Sequence, residues 1–293
     1  MSRFVQFSDR GVISLSGNDR VSFLQGLVSN DVTLAESGRP VWSALLSPQG
    51  KYRHDFFILK DGDRLLLDCE GGDRMMDLGQ TLRRYVLRAD AKLDIERAWS
   101  VIAVWDMDPA AIGLSESEAM APFAGGLAYI DPRLPAMGVR VLAPAETARA
   151  ALTALGAVEA SPSEWDAHRI PLGVPDGARD MQPDKALLLE NGFAELHGVD
   201  WKKGCYMGQE LTARTKYRGL IKKRLMPVRI DGTAPEEGTQ VLADGKDAGT
   251  LYSVAGSIGL ALLRVDPVKR KAPLMASGAR LEPAMPDWLT LAE

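Results

Sequence analysis

The sequence is poor in cysteine and histidine. It contains two cysteines, Cys69 and Cys205, and three histidines among 293 residues. Two cysteines 136 positions apart exclude a disulfide framework and a zinc ribbon built by this chain alone. The histidines follow no metal-binding spacing, so we expect them to be packed or surface residues. These scarcities indicate a protein of a reducing compartment.

Long apolar runs are also missing. No stretch approaches the roughly 18 apolar residues of a membrane-spanning helix. Arg3, Asp9 and Arg10 interrupt the N-terminal segment before the apolar run of a secretory signal could form. Residues 1–30 lack the composition of a mitochondrial transit peptide, which is rich in Arg and Ser and poor in acids. We expect a soluble protein of a bacterial cytoplasm, with the mitochondrial matrix as the alternative for a processed chain.

Neither sign of charge dominates the whole chain. There are 35 Lys and Arg residues against 39 Asp and Glu, a net charge of −4, and 46% of the residues are hydrophobic. This balance excludes a wholly basic nucleic-acid coat protein and a highly charged disordered chain. At roughly 100 to 200 residues per domain, the length predicts two or three domains.

The order of the predicted elements indicates an α+β fold. Apolar spacing predicts a helix over 19–29, followed by a hairpin around the turn Ser47-Pro48-Gln49-Gly50. A strand over 64–70 and a helix over 73–87 come next. This order lacks the regular alternation of strand and helix that characterises parallel α/β proteins. The remaining predictions before residue 222 are a strand over 92–105, weak periodicity over 106–138, a strand and a helix over 138–156, a helix over 163–170 and an irregular connection over 171–200.

The C-terminal part is richer in strands. Four short strand-like runs lie at 225–230, 239–244, 248–254 and 257–265, and Asp244-Gly245 is a hairpin turn signal. They predict a small terminal β-barrel or β-sandwich. We therefore divide the chain into an α+β region of residues 1–221 and a C-terminal β-barrel of residues 222–293.

Positive charge is concentrated in residues 202–224. This segment carries eight Lys and Arg side chains and one acid, Glu210, a net charge of +7 that leaves −11 on the rest of the chain. A local positive potential favours a phosphate, a polycarboxylate or an acidic protein as partner. A solvated charged face is the alternative. A tRNA-contacting module is a further hypothesis, and its binding would weaken steeply with salt.

Cys205 lies inside this basic segment, directly after two lysines and Gly204. The residues from Gln209 onward predict a short helix, so the thiol would precede a helix N-terminus. Cations and a helix N-terminus both stabilise a thiolate, the nucleophilic and metal-ligating form of cysteine. The alternative is that Cys205 is a small buried hydrophobic residue.

Residues 203–210, KGCYMGQE, resemble the K-G-C-[FY]-x-G-Q-E signature of the YgfZ family, relatives of the glycine-cleavage T-protein. Other stretches that resemble this family are 19–32 (DRVSFLQGLVSNDV), 47–51 (SPQGK) and 84–88 (RYVLR). Residues 211–215 and 219–225 resemble the branch typified by a mitochondrial iron-sulfur assembly factor that works with A-type carrier proteins. The resemblance covers most of residues 1–225.

This resemblance implies an aminomethyltransferase fold, in which two subdomains surround a central folate-sized cavity and a C-terminal barrel closes the ring. It implies an accessory factor rather than an enzyme, one that helps to make or repair [4Fe-4S] clusters in client enzymes such as radical-SAM proteins. It also implies a link to tRNA modification. A-type carriers and the client enzymes would be the protein partners, whereas we expect no nucleic acid or membrane partner and a monomer when the chain is alone.

The resemblance makes Cys205 the key thiol, either as a cluster ligand or as a redox thiol. A single soft thiolate can ligate a [2Fe-2S] or [4Fe-4S] cluster only if a partner supplies the other ligands, so the cluster would be shared. The other motif residues implicated by the resemblance are Lys203, Gly204, Tyr206, Gly208, Gln209, Glu210 and Arg214.

Tetrahydrofolate is the second ligand that the resemblance implies, and a tetrahydrofolate-dependent aminomethyl or one-carbon transferase is the alternative function. One stretch departs from the T-protein pattern R-[LI]-E-x-G. In Arg169-Ile170-Pro171-Leu172-Gly173, Pro171 stands where the T-protein has the glutamate that holds the pterin. A proline side chain cannot accept the pterin's hydrogen bonds, so we do not expect methylamine transfer. The basic segment could still hold a polyglutamate tail.

Overall fold

The computed structural model describes residues 1–115, 117–219 and 221–291. Contacts between residues divide the chain into two compact units. Unit 1 consists of Met1–Leu46, Arg53–Pro162 and His197–Met207. Unit 2 consists of Ser47–Tyr52, Ser163–Leu196 and the chain from Gly208 onward. Each unit therefore combines segments that lie far apart in the sequence.

Strands make up most of the regular structure. In chain order they are β1 Arg3–Phe7, β2 Arg10–Ser16, β3 Val41–Leu46, β4 Tyr52–Asp61, β5 Arg64–Glu70, β6 Lys92–Ile95, β7 Ser100–Trp105, β8 Met120–Phe123, β9 Gly126–Ile130, β10 Val139–Ala143, β11 Val158–Glu159, β12 Lys223–Asp231, β13 Gln240–Ala243, β14 Lys246–Ala255, β15 Ile258–Arg264, β16 Leu274–Ala276 and β17 Ala279–Pro283.

The helices are short, and among the described residues none is both long and apolar enough to cross a membrane. The α-helices are α1 Arg20–Gln25, α2 Thr33–Glu36, α3 Gly72–Val86, α4 Ala145–Ala154, α5 Pro162–Arg169, α6 Gly177–Asp180, α7 Gln209–Tyr217 and α8 Val265–Lys269. Single turns of 3-10 helix lie at Pro109–Ile112, Pro135–Met137 and Leu188–Asn191.

Unit 1 is built on two sheets. The first has the strand order β11-β1-β7-β10-β9-β8, in which β1 and β11 pair in parallel and β1 and β7 pair antiparallel. The second has the order β3-β4-β5-β2-β6. Leu24 of α1 and Leu78 and Leu82 of α3 are buried in the core that also contains apolar side chains of the second sheet. The amphipathic spacing of α3 explains this packing, because its leucines recur on one helix face.

Unit 2 contains a closed barrel with the strand order β12-β15-β14-β13-β16-β17. The barrel closes because β17 pairs antiparallel with β12, so both edges of the sheet are hydrogen-bonded. Val228, Leu251, Leu263 and Leu281 belong to its buried core. The predicted α+β class and the terminal barrel are confirmed, and β16 and β17 add two strands that the sequence pattern did not reveal. The predicted domain boundary at residue 221 stays a prediction.

Three predicted elements differ from the structure. The helix expected over 19–29 ends at Gln25, because Val28 instead forms a β-bridge with Leu45. The strand expected over 92–105 is two strands, β6 and β7, which belong to different sheets. The weakly periodic segment 106–138 contains the antiparallel pair β8 and β9. In each case tertiary pairing, which a local pattern does not contain, decides the structure.

Candidate functional site

Cys205 lies on a loop of unit 1 that runs from residue 197 to residue 207. The residue is outside helix and strand, and its thiol is free and exposed. The alternative that Cys205 is a buried hydrophobic residue is therefore wrong. Gly204 precedes it and is also exposed, and a Cβ built on Gly204 would meet no atom within 4 Å. The thiol and the glycine next to it therefore face open space.

The side chain of Lys203 anchors this loop. Its Nζ donates hydrogen bonds to the carbonyl oxygens of Gln25 at 2.9 Å, Val28 at 2.6 Å and Asn30 at 2.8 Å. An ammonium group has three N–H donors, so these carbonyls use all of them. Nζ also lies 5.2 Å from the centroid of the buried Tyr206 ring. Lys203 thus fixes the loop two residues before the thiol.

The backbone around Lys203 is fixed by Asp200. Its Oδ1 accepts hydrogen bonds from the backbone N–H groups of Lys202 at 2.6 Å and Lys203 at 2.8 Å. Such a side-chain cap stabilises a tight turn. Burial is the main cause that lowers the pKa of Lys203, to about 8, while the nearby carboxylates of Asp31 and Asp200 act in the opposite direction.

Ser29 and Asn30 hold the beginning of the same loop. Ser29 Oγ donates to the carbonyl of Gly198 at 2.7 Å, and Asn30 Nδ2 donates to the carbonyl of His197 at 2.6 Å. At the other end, the N–H of Met207 donates to the carbonyl of Gly26 at 3.0 Å. The stretch after α1 therefore supports the Cys205 loop along its whole length. The family resemblance over residues 19–32 pointed to this stretch. It did not reveal that the stretch holds the Cys205 loop, because the stretch accepts most of the loop's hydrogen bonds through backbone carbonyls.

The motif crosses from unit 1 to unit 2 between Met207 and Gly208. Gly208 precedes α7 with φ of +78°, a left-handed conformation that favours glycine. Glu210 lies in the first turn of α7, where a carboxylate interacts favourably with the helix dipole. Glu210 and Arg214 are exposed, and Gln209 is half-buried. The predicted helix start at Gln209 is confirmed.

Gly50 of the 47–50 turn lies against the start of α7 within unit 2. A Cβ on Gly50 would come within 2.6 Å of both the Gly208 carbonyl oxygen and Leu211 Cβ. Its φ of +82° also favours glycine. The turn can therefore approach α7 only because residue 50 has no side chain.

The basic segment contains cations of two kinds. Lys203 and Arg224 are internal, and Arg224 donates to the carbonyl of Leu189 at 2.6 Å and to Glu195 Oε1 at 2.9 Å. Leu220, which belongs to the motif extension, lies outside the described residues. The exposed cations of the segment are Lys202, Arg214, Lys216, Arg218 and Lys222. Two of the cations counted in the basic segment, Lys203 and Arg224, thus stabilise the fold through internal hydrogen bonds.

Other candidate ligands lie apart from each other. In residues 1–115, 117–219 and 221–291, no three His, Cys, Asp or Glu side chains form a group that could hold a metal ion. His54 is buried beside Asp77, with Nε2 2.8 Å from Oδ2, whereas His197 is exposed. Cys69 is buried in the second sheet of unit 1. These positions agree with the expectation of packed or surface histidines.

The position of Pro171 does not fit a pterin. Pro171 follows α5 and is exposed, and it offers neither an N–H donor nor a carboxylate. The preceding Arg169 is buried and bonds Asp166 at 2.7 Å and Asp180 at 2.7 Å, so its charge is already compensated inside unit 2. Neither Pro171 nor Arg169 is therefore suited to hold the pterin of tetrahydrofolate.

Comparison with known proteins supports the fold first. A family model described as "CAF17, C-terminal beta-barrel domain" matches residues 222–291. The structure of glycine cleavage system aminomethyltransferase T from Bartonella henselae superposes with a TM-score of 0.79 at 15% identity, covering 98% of this chain and 86% of that chain. The predicted aminomethyltransferase fold is confirmed by this similarity. The finer resemblance to YgfZ stays a prediction.

Sequence relatives then identify the family. The chain is 36% identical to the "Iron-sulfur cluster assembly factor IBA57 homolog, mitochondrial" of Mycosarcoma maydis, covering 90% of this chain and 74% of that protein. It is 33% identical to "Iron-sulfur cluster assembly factor IBA57, mitochondrial" of Homo sapiens, covering 95% of this chain and 83% of that protein. The chain therefore belongs to the IBA57 family of iron-sulfur cluster assembly factors.

Proposed function

We propose that this protein acts in the assembly or repair of iron-sulfur clusters, and that Cys205 supplies one thiolate ligand to a cluster shared with an A-type carrier on its way to [4Fe-4S] enzymes. The observation that carries this proposal is the free, exposed thiol of Cys205 on a loop anchored by Lys203. An accessible thiolate is the form of cysteine that ligates iron.

The cluster is cargo and is held jointly. The described part of this chain offers no second cysteine near the surface, because Cys69 is buried in a strand. It also offers no group of three candidate ligands. Since a [2Fe-2S] or [4Fe-4S] cluster takes four protein ligands, the partner provides the remaining ones.

The motif residues have distinct proposed roles. Lys203 is a positioning residue, because it ties the loop to three carbonyls and leaves the thiol two residues further along the chain. Gly204 keeps the space beside the thiol open to a partner. Tyr206 is buried under the Lys203 ammonium and stabilises its position. Gly208 permits the turn into α7, and the polar ends of Gln209, Glu210 and Arg214 are proposed to contact the partner.

The names of the relatives bear on location. They support a mitochondrial location, in line with the alternative expected for this chain, and give no support to the bacterial cytoplasm. The link to tRNA modification stays a prediction.

We also propose that residues 222–293 are a separate C-terminal domain, which the barrel and the family match from residue 222 support.

The test is an anaerobic mixture of the purified protein with an A-type carrier that holds a [2Fe-2S] cluster, followed by visible circular dichroism. We expect the wild type to form a new stable chromophore and Cys205→Ser to form none. Cys69→Ala is the matched control, because it removes the other thiol and should leave the new spectrum intact.

Two outcomes would contradict the proposal. An unchanged spectrum with the wild type would remove the support for a shared cluster, and an identical spectrum with Cys205→Ser would assign the ligand elsewhere. In cells, Cys205→Ser should lower the activity of [4Fe-4S] enzymes, whereas Cys69→Ala should not.

A further inference from the structure

The turn at the end of α3 contains an unusual residue. Leu87 directly follows α3 with φ of 45° and ψ of −100°. The N–H of Ala89 donates to the carbonyl of Val86 at 2.8 Å, which closes a four-residue turn. These angles approach those of the first central residue of a type II′ turn, about +60° and about −120°, a position that favours glycine. A leucine is therefore strained at this position.

Packing inside this chain does not explain the leucine. The Leu87 side chain is 87% exposed, which is as much as the N-terminal Met1. A glycine would relieve the strain, and a polar residue would suit the solvent. The turn thus presents a large apolar side chain, in an unfavourable backbone conformation, to the outside of unit 1.

The neighbours of Leu87 add positive charge. Arg84 and Arg88 are exposed, and neither forms an ion pair or hydrogen bond through its side chain within the described part of the chain. Tyr85 is also partly exposed, at 37%. We call Arg84, Tyr85, Leu87 and Arg88 the turn surface. It combines an apolar centre with two guanidinium groups that have no acidic partner.

The turn surface is held on a rigid support. Before it, Val86 packs against the core of the second sheet of unit 1. After it, the carbonyl of Asp90 accepts from the N–H of Asp19 at 3.0 Å, and Asp90 Oδ2 accepts from Asn18 Nδ2 at 2.8 Å. A turn whose flanking residues are held in place before binding loses less backbone conformational entropy when a partner covers it.

We propose that the turn surface is a docking site for a protein that offers an apolar pocket with Asp or Glu side chains at its rim. Leu87 would fill the pocket, and Arg84 and Arg88 would pair with the carboxylates. This inference rests on the proposed function, since it takes the cluster-carrying partner as the protein that docks. The two free guanidinium groups supply the charge complementarity.

The chemistry favours a protein over the other polyanionic partners. Leu87, the most exposed apolar side chain of the turn surface, is aliphatic and offers a nucleic-acid base no aromatic face for stacking, and the Tyr85 ring is only 37% exposed. One leucine and one half-covered tyrosine give too little apolar area for stable binding to a bilayer. A preformed pocket, in contrast, is the environment in which a single protruding leucine contributes to affinity.

Leu87→Gly is the decisive variant, because it separates binding from folding. The probe is the [2Fe-2S] A-type carrier, with its Kd for this protein measured by anaerobic calorimetry. We expect Leu87→Gly to weaken binding by about tenfold and to leave Tm unchanged or raise it by about 2 °C. Leu155→Gly is the control, since Leu155 is an exposed leucine of the same unit outside the turn surface, and its Kd should equal that of the wild type.

The charge contribution is tested with a double variant. Arg84→Glu with Arg88→Glu should weaken binding of the carrier by about tenfold or more, and the loss should shrink at high salt. The charge-matched control is Arg39→Glu with Arg97→Glu, which reverses two exposed arginines elsewhere in unit 1 and should bind as the wild type does.

The outcomes distinguish this inference from the function on which it rests. If the wild type does not bind the carrier, the proposed function and the docking site are both overturned. If it binds and Leu87→Gly binds equally well, the docking site alone is overturned. Binding of tRNA or anionic vesicles through Leu87, in place of the carrier, would assign the turn surface to another class of partner and would also overturn the proposal.

Discussion

The two cysteines of this chain occupy opposite environments within unit 1. Cys69 lies in β5, where its Sγ donates to the carbonyl of Gly11 at 3.6 Å and burial raises the pKa of the thiol. Cys205 lies on an exposed loop that is fixed at its base by hydrogen bonds from the Lys203 ammonium to backbone carbonyls. Access to solvent and support of the backbone, rather than residue type, therefore decide which thiol can take part in chemistry.

The largest expected effect is on thiol reactivity. We measure the rate of labelling by a thiol reagent under native conditions in Cys69→Ala and Cys205→Ser, each of which keeps one thiol. Cys205 should react more than about a thousandfold faster than Cys69, because Cys69 must wait for unfolding. Similar labelling rates in the two variants would contradict the assignment of Cys69 as buried and Cys205 as accessible.

The support of the loop is tested at Lys203. Lys203→Met removes three hydrogen bonds from a charged donor and leaves buried carbonyls without a partner, so the free energy of unfolding should fall by about 3 kcal/mol. Urea denaturation measures this change. The neighbouring Lys202→Met, which alters an exposed lysine, should change it by no more than about 0.5 kcal/mol. Equal losses would mean that Lys203 does not anchor the loop.

The buried sheet that contains Cys69 should also make the stability of the protein depend on pH, through His54. Burial is the main cause that lowers the pKa of His54, in the neighbouring strand β4, from 6.5 to about 4. A lowered pKa means that the unfolded chain binds the proton first, so stability is present above pH 6.5 and is lost as the pH falls towards 4. By pH 5 the wild type should lose about 2 kcal/mol relative to pH 7 from this residue.

The matched variant for this effect is His54→Gln, which keeps a hydrogen-bonding group near Asp77 but does not titrate. Its free energy of unfolding, measured with urea, should fall less between pH 7 and pH 5 than that of the wild type. The difference between the two falls should be about 2 kcal/mol. His197→Gln, at an exposed histidine, should follow the wild type. If the free energy of unfolding falls equally with pH in the wild type and in His54→Gln, the acid sensitivity comes from other groups.

Much of the fold follows from local patterns in the sequence. The amphipathic spacing of α3 and the short apolar runs after residue 222 indicate elements that the structure contains, with the barrel as their closed form. The strands β8 and β9 were not predictable in this way, because their segment has weak periodicity and their pairing is tertiary. The early end of α1 has the same cause, since Val28 is drawn into a bridge with Leu45.

The site is predictable to a smaller extent. The motif pointed to Cys205, and the charge pattern pointed to the basic segment around it. The charge pattern did not indicate that Lys203 anchors the loop, because its three hydrogen-bond acceptors are main-chain carbonyls, which every residue has. The stretch 84–88 was noted only as a family resemblance. The strained, exposed position of Leu87 was not predictable, because the rules for turns favour glycine there and no local pattern indicates a leucine.

The close approach of Gly50 to Gly208 and Leu211 has a consequence for exchanging parts between relatives. The turn at 47–50 and the start of α7 are separated by about half the chain, yet they form one steric unit in which neither can change shape alone. A chimera that transplants residues 203–217 from another member of the family must therefore carry the matching turn with it. If residues 203–217 are transplanted alone, the new helix packs against a 47–50 turn whose shape matches the original helix instead.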